Sequence, residues 1–178
     1  GSAETGRQRL GVSFQHGNLF DRDHSLGLSY TTSPEKPDKV AQYGASYTIP
    51  FYARGGSLNL QFAKSDVTTG TIGDFFNVSG AVTMYAARYT HFLTRRKEIT
   101  QSFALGVEDK FYQNTVDFAG TPLGVDVRAR PMTVSYSGSR DGQATKASWR
   151  LAISRNLAHG SHNDNATYNS SRAGADAN

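Results

Sequence analysis

Arg128 and Arg130, one residue apart, are among the groups in this 178-residue sequence best placed to do chemistry. On an extended chain, alternate residues point to the same side, so the two guanidiniums form a comb suited to phosphate oxygens. A second set is Gln15, Gln42, Ser46, Thr48, Asn59, Gln61, Glu108, Lys110 and Arg150. These offer mixed donors and acceptors, the chemistry of a wetted wall rather than of a reaction centre. Covalent catalysis finds less support. Serine and histidine are plentiful, yet no nucleophile elbow and no paired carboxylates stand out. His16, His24, His91, His159 and His162 share no metal-ligand spacing. The His-Gly-Ser-His run at 159–162 lies in a polar stretch, where a flexible end makes the same pattern. Cysteine is absent, which excludes disulfides and thiolate chemistry. Nothing in these patterns calls for a cofactor or a metal, and the expectation is a protein that is not an enzyme.

Charge narrows the classes further. The formal net charge is +4, but the basic residues are dispersed and Arg95-Arg96-Lys97 is their longest run. That is no nucleic-acid patch. No apolar stretch approaches the ~20 residues of a membrane helix, which leaves strand-built membrane proteins untouched because their alternation averages to polar.

The elements that must carry these side chains are strands. Leu10, Val12 and Phe14 alternate with Gly11, Ser13 and Gln15; Leu26, Leu28 and Tyr30 with Gly27 and Ser29. Tyr43, Ala45, Tyr47 and Ile49 do so against Gln42, Gly44, Ser46 and Thr48, and Leu58, Leu60 and Phe62 against Asn59 and Gln61. Phe103, Leu105 and Val107, then Met132, Val134 and Tyr136, then Trp149, Leu151 and Ile153 repeat the pattern. In 81–93 neither parity is clean, since Val82 and Met84 oppose Tyr85, Ala87 and Tyr89; a bulge within 77–93 would reset it. Short connections (18–23, 51–56, 93–98, 139–143) alternate with longer Gly/Pro/Thr-rich ones (31–39, 67–76, 112–124). The pattern predicts an all-β, antiparallel up-and-down meander of about eight strands.

A soluble sandwich and a membrane barrel both alternate, so the second parity decides. It is mostly Ser, Gly, Thr, Gln and Ala, where an aqueous face would carry many Lys and Glu. Small neutral groups inward with large apolar groups outward is the transmembrane β-barrel pattern. Leu10, Val12, Leu26, Leu28, Ile49, Leu58, Leu60, Phe62, Leu105, Trp149, Leu151 and Ile153 are then expected to face lipid, and the polar set above the lumen. Phe20, Phe51, Tyr52 and Phe92 at the short turns, with Tyr30, Phe75, Phe76, Phe111 and Tyr112 toward the long loops, are expected as interfacial aromatics. Arg128 and Arg130 fall on the outward parity. They are expected above the hydrocarbon as lipopolysaccharide contacts, unless a bulge near Pro131 turns them inward.

"GVSFQHGNLFDRDHSLGLSYTTSP", "YTIPFYARGGSLNLQFAKSDVTTGTI", "FFNVSGAVTMYAARYTHFL" and "VDFAGTPLGVDVRARPMTVSYSG" resemble the barrel of two-partner-secretion outer-membrane transporters. This is the haemolysin secretion/activation (TpsB) family, a branch of the Omp85 superfamily. The likeness runs to about Leu157. It implies periplasmic POTRA domains before a sixteen-stranded barrel, of which this chain would supply about half, roughly its second to ninth strands. It implies secretion, and in some cases activation, of one large haemolysin or filamentous-adhesin partner across the Gram-negative outer membrane. Arg22, Arg54, Arg95/Arg96 and Arg140 would mark periplasmic turns. The POTRA domains and the superfamily's Val-Arg-Gly-Tyr/Phe loop motif have no counterpart here and are expected elsewhere in a longer chain. The organisation expected is a tag scar at 1–2, a barrel segment at 3–157, and a surface loop or disordered tail at 158–178. The alternatives are a small eight-stranded outer-membrane barrel acting as a binding or structural module, and a lipid-modifying barrel enzyme.

Overall fold

The computed structural model describes the backbone at residues 5–72, 76–118, 121–122, 124–142, 145–172, 174 and 177. Side chains are described there except at 67–72, 76–79, 114–118 and 121–122. Gly1, Ser2, Gly73, Phe75 and Gly120 lie outside the described residues.

Alternation along the chain becomes one antiparallel sheet. Its strands are β1 (Leu10–Leu19), β2 (His24–Thr32), β3 (Val40–Phe51), β4 (Gly56–Ile72), β5 (Phe76–Phe92) and β6 (Ile99–Phe118). The short β7 (Thr121–Pro122) and β8 (Val127–Ala129) follow, then β9 (Pro131–Asp141) and β10 (Lys146–Asn156). Spatial order is β1-β2-β3-β4-β5-β6-β9-β10, with β7 and β8 also paired to β6. This is the predicted meander, with eight positions across the sheet. No described helix is long and apolar enough to cross a membrane, which says nothing of strands.

Two expected irregularities fall elsewhere. No bulge interrupts the β5–β6 ladder from Phe76↔Phe118 to Phe92↔Ser102. The β4–β5 register shifts only between Thr68 and Gly70, so the extra residue falls on β4, opposite Ser79 and Val78, and leaves the parity of β5 unchanged. β5 is regular, so Thr83, Tyr85, Ala87 and Tyr89 share the face of Leu58, Leu60 and Phe62, while Val82 and Met84 stand among the polar residues. A polar face tolerates scattered apolar side chains, and parity needs no reset. Near Pro131 the ladder opens because proline has no N–H to give. The pairs Phe111↔Arg128 and Val107↔Met132 nevertheless keep one register, so no inward turn of the arginines occurs there.

The ladders also fix a slope. One line of paired residues runs Leu26, Tyr47, Leu60, Ala87, Val107, Met132, Arg155. Leu26 stands two residues in from the short-turn end of β2 at His24, and Arg155 nine in from that of β10 at Lys146. That stagger of seven residues accumulates over six strand steps. At about 3.3 Å per residue and 4.8 Å per strand it gives a tilt of about 40°, within the range closed barrels require.

The tail packs instead of trailing. Leu157 N–H donates to Arg130 O at 2.9 Å and Arg128 N–H to His162 O at 2.7 Å, extending the sheet beside β8. A short helix, α1 (Asn165–Ser171), follows. Asp164 caps it by accepting from Thr167 N–H at 2.7 Å, a bond that holds the Asp164 carboxyl below the usual carboxylate range. Asn163 is buried and its amide donates to Leu157 O at 2.7 Å; Tyr168 Oη donates to Arg128 O at 2.9 Å. Hydrogen bonds rather than apolar burial order this segment, which is why its low hydrophobicity reads as disorder.

Candidate functional site

The functional feature is a wall with two chemically opposite faces. Register puts Gln15, Gln42, Ser46, Thr48, Asn59, Gln61, Glu108, Lys110 and Arg150 on one face. There Asn59 Nδ2 donates to Thr48 Oγ1 and Gln61 Nε2 to Asn59 Oδ1, both at 2.8 Å. Gln42 Nε2 reaches Ser65 Oγ at 3.2 Å. Lys110 Nζ lies 2.5 Å from Glu108 Oε2. Thr133 and Ser154 bond each other across β9 and β10. Gly27 and Gly44, interleaved with Ser29 and Ser46 in the β2–β3 ladder, keep that part of the face low. Val82, Met84, Phe92 and Tyr112 also stand on this side, so the face is mixed rather than purely polar. A ring of outward aromatics therefore omits Phe92 and Tyr112, two of the residues expected in it.

The other face holds Leu10, Val12, Leu26, Leu28, Ile49, Leu58, Leu60, Phe62, Leu105, Trp149, Leu151 and Ile153. Of twenty-one described large hydrophobic side chains that are exposed, sixteen lie here; the others are Phe20, Tyr52, Phe92, Tyr112 and Leu157. So one-sided a distribution leaves most of an apolar surface uncovered by the described residues. Cross-strand rings stack along it: Tyr30 on Tyr43 at 5.0 Å, Phe62 on Tyr85 at 5.2 Å, Phe103 on Tyr136 at 4.9 Å. Such pairs each contribute about 0.2–1 kcal/mol to a sheet. At the short-turn rim, Tyr52 Oη donates to Asp23 Oδ2 at 3.0 Å. This joins two neighbouring turns, and the bond raises the phenol above its ordinary pKa.

Trp149 lies on Gly138, its cross-strand partner, where a Cβ would come 2.3 Å from the indole Cζ2. Gly138→Val is therefore expected to expel the ring and to cost about 1–3 kcal/mol, as overpacking does. Trp149 is the only tryptophan of this sequence. Emission from the refolded chain in detergent should shift to the red; an unchanged spectrum would contradict the packing.

Apart from Arg140, the described charge on the apolar face gathers toward the long-connection end. Lys64, Asp66, Asp109, Arg130 and Arg155 stand eight to eleven residues from the short-turn ends of their strands. Nearer those ends, among the described residues, only Arg140 at the rim itself carries an Asp, Glu, Lys or Arg charge on this face. Arg128 and Arg130 are on this face as expected, but a third residue joins them. Arg128 Nε and Nη2 donate to Asp109 Oδ1 and Oδ2 at 2.7 and 2.5 Å. Arg130 Nε approaches Asp109 Oδ2 at 3.4 Å, and its Nη1 donates to His159 O at 2.5 Å. Arg128 also lies 6.0 Å over the Phe111 ring, against which His162 packs at 5.9 Å. Asp109 was missed in the sequence because a carboxylate on an apolar parity makes sense only beside the arginines that the register brings to it.

With the wall and its faces described, comparison with known proteins becomes specific. Residues 1–175 match the haemolysin secretion/activation protein ShlB/FhaC/HecB family. The chain belongs to that family. CdiB from Escherichia coli has a similar structure, with TM-score 0.73 at 14% identity, over 88% of this chain and 30% of that one. At such identity the likeness speaks to the fold, and this member of the ShlB/FhaC/HecB family spans 30% of the solved chain it matches. Comparison with curated proteins gives no match.

Proposed function

We propose that this chain is part of the barrel wall of an outer-membrane translocator that secretes, and in some cases activates, a large haemolysin- or adhesin-type partner protein. The observation that carries the reading is family membership over 1–175 joined to a tilted sheet with one apolar and one polar face. On this reading the apolar face meets lipid and the polar face lines the lumen. The charge-free band supports it. At about 40° of tilt each residue climbs about 2.5 Å, so eight residues cover about 20 Å, close to the apolar height of outer-membrane barrels. Short turns are the periplasmic side of such barrels and long connections the outer side, which sets the Asp109 cluster at the outer rim. Phe20, Phe51 and Tyr52 then serve the inner interface and Phe111 the outer.

The lumen set would offer a passing chain alternating donors and acceptors. Every polar contact made with it replaces one made with water, so no single contact holds it. The test is deletion of the parent gene in its own host: the partner protein should accumulate in the periplasm and return to the medium on complementation. Unimpaired secretion would end the reading. The small-barrel module and the barrel enzyme gain no observation in their favour.

A further inference from the structure

We propose that Arg130 and Arg155 form a binding site for the phosphate groups of lipid A, the membrane-embedded part of lipopolysaccharide, at the outer rim of the apolar face. The site rests on the lipid-facing reading above and revises the arginine pair expected from the sequence. Arg128 spends both arms of its guanidinium on Asp109, which leaves it little to offer a ligand. Arg130 reaches Asp109 through one long bond at 3.4 Å and gives Nη1 to the neutral His159 O, so most of its charge is unmatched, and Arg155 is exposed with no ion pair among the described residues. Arg155 pairs with Met132, and Arg130 precedes Met132 by two residues on the same face. The two cations are diagonal neighbours across two strands, a separation of about 7–8 Å at Cα that long side chains bridge. With Asp109 matched by Arg128, the patch is a net dication.

Two further features select a phosphorylated acyl lipid over free phosphate. An apolar groove of about 620 Å³ runs along the sheet from Leu26 past Leu60 and Val107 to end at Asp109, Arg130 and Leu157, the Asp109 charge being taken up by Arg128. Its cationic end meets an apolar bed, so one molecule bearing both phosphate and acyl chains satisfies both. The cations also sit at the upper limit of the charge-free band, on the long-loop side, where lipid phosphates of the outer leaflet lie. Charge-assisted bonds from arginine to phosphate are the strong class of such contacts.

The test uses the complete transporter in detergent, titrated with purified hexa-acyl bis-phosphorylated lipid A and read by native mass spectrometry. Arg130→Gln with Arg155→Gln should weaken binding at least tenfold, and lipid A stripped of both phosphates should bind the unaltered protein as weakly. Arg130→Lys with Arg155→Lys should restore most of the affinity. Equal binding by the Gln variant, or equal binding of phosphatidylglycerol and lipid A by the unaltered protein, would overturn the site. If the double Gln variant does not fold, as judged by lost heat-modifiable migration, Arg155→Gln alone carries the test and should weaken binding at least threefold; no change would overturn the site. Secretion of the partner is scored separately in cells. Secretion unimpaired by deletion of the parent gene, with lipid A binding intact, would sink the translocator reading and leave this site standing.

Discussion

Leu60→Arg in the complete barrel, refolded into lipid vesicles, is expected to lose about 2–4 kcal/mol of stability, while Gln61→Arg loses almost nothing. The two residues are adjacent in β4 and differ only in the face they take. Leu60 stands four residues from Gly56, about 10 Å above the short-turn end, between Tyr47 and Ala87. An arginine there would sit in mid-band, too far from either rim to reach headgroups without distortion. At position 61 the same side chain lies beside Asn59 and Ser46 on the polar face. Urea unfolding in vesicles measures both. Equal costs at 60 and 61 would show that the two faces do not meet different solvents, and the lipid-facing assignment would fall with them.

Asp109→Ala should produce the second large effect, a loss of about 2 kcal/mol from removing a carboxylate that accepts charged hydrogen bonds. The cost arises because Arg128 and Arg130 remain behind on an apolar surface without their anion. Their side chains and that of Asp109 are each about 30% exposed, so solvent screens the pair only in part. Adding Arg128→Met should recover most of the loss, since the charge in need of a partner is then gone. The segment after Leu157 depends on the same cluster through His159 O, His162 O and Tyr168 Oη. In Asp109→Ala it should be cut by trypsin sooner, at Arg172. A loss under about 0.5 kcal/mol would place the cluster in water, where such pairs contribute little.

Much of this wall is legible in the sequence because period two is a property of each strand by itself. Leu58, Leu60 and Phe62 announce their face without knowing their neighbours, and the hairpin at 51–56 announces their pairing. What could not be read is what depends on register between strands far apart in sequence. Asp109 is one of six charged residues within 108–128; only the pairing of Phe111 with Arg128 singles it out. The irregular 81–93 stretch suggested a bulge because strict polarity was expected of the inner face. Val82 and Met84 show that the polar face tolerates apolar side chains, whereas the apolar band carries no charge among the described residues. The choice between a surface loop and a disordered tail could not be read for a related reason: the order in this segment comes from hydrogen bonds to β8 and to Asn163, and composition scales count apolar burial.

The stagger of seven residues over six strand steps also bears on the width of a complete barrel. Carried round sixteen strands, the number the family resemblance implies, that slope and the strand spacing give a backbone cylinder about 32 Å across. Inward side chains of moderate size leave roughly 20 Å of it open. An α-helix, about 10–12 Å thick, or an extended hairpin passes such an opening. A folded domain of 100 residues, with a radius of gyration of about 13 Å, is more than 30 Å wide and does not. On the translocator reading proposed above, a cargo would have to arrive unfolded and complete its folding outside, and a partner locked by an engineered disulfide into one compact domain should jam at this width.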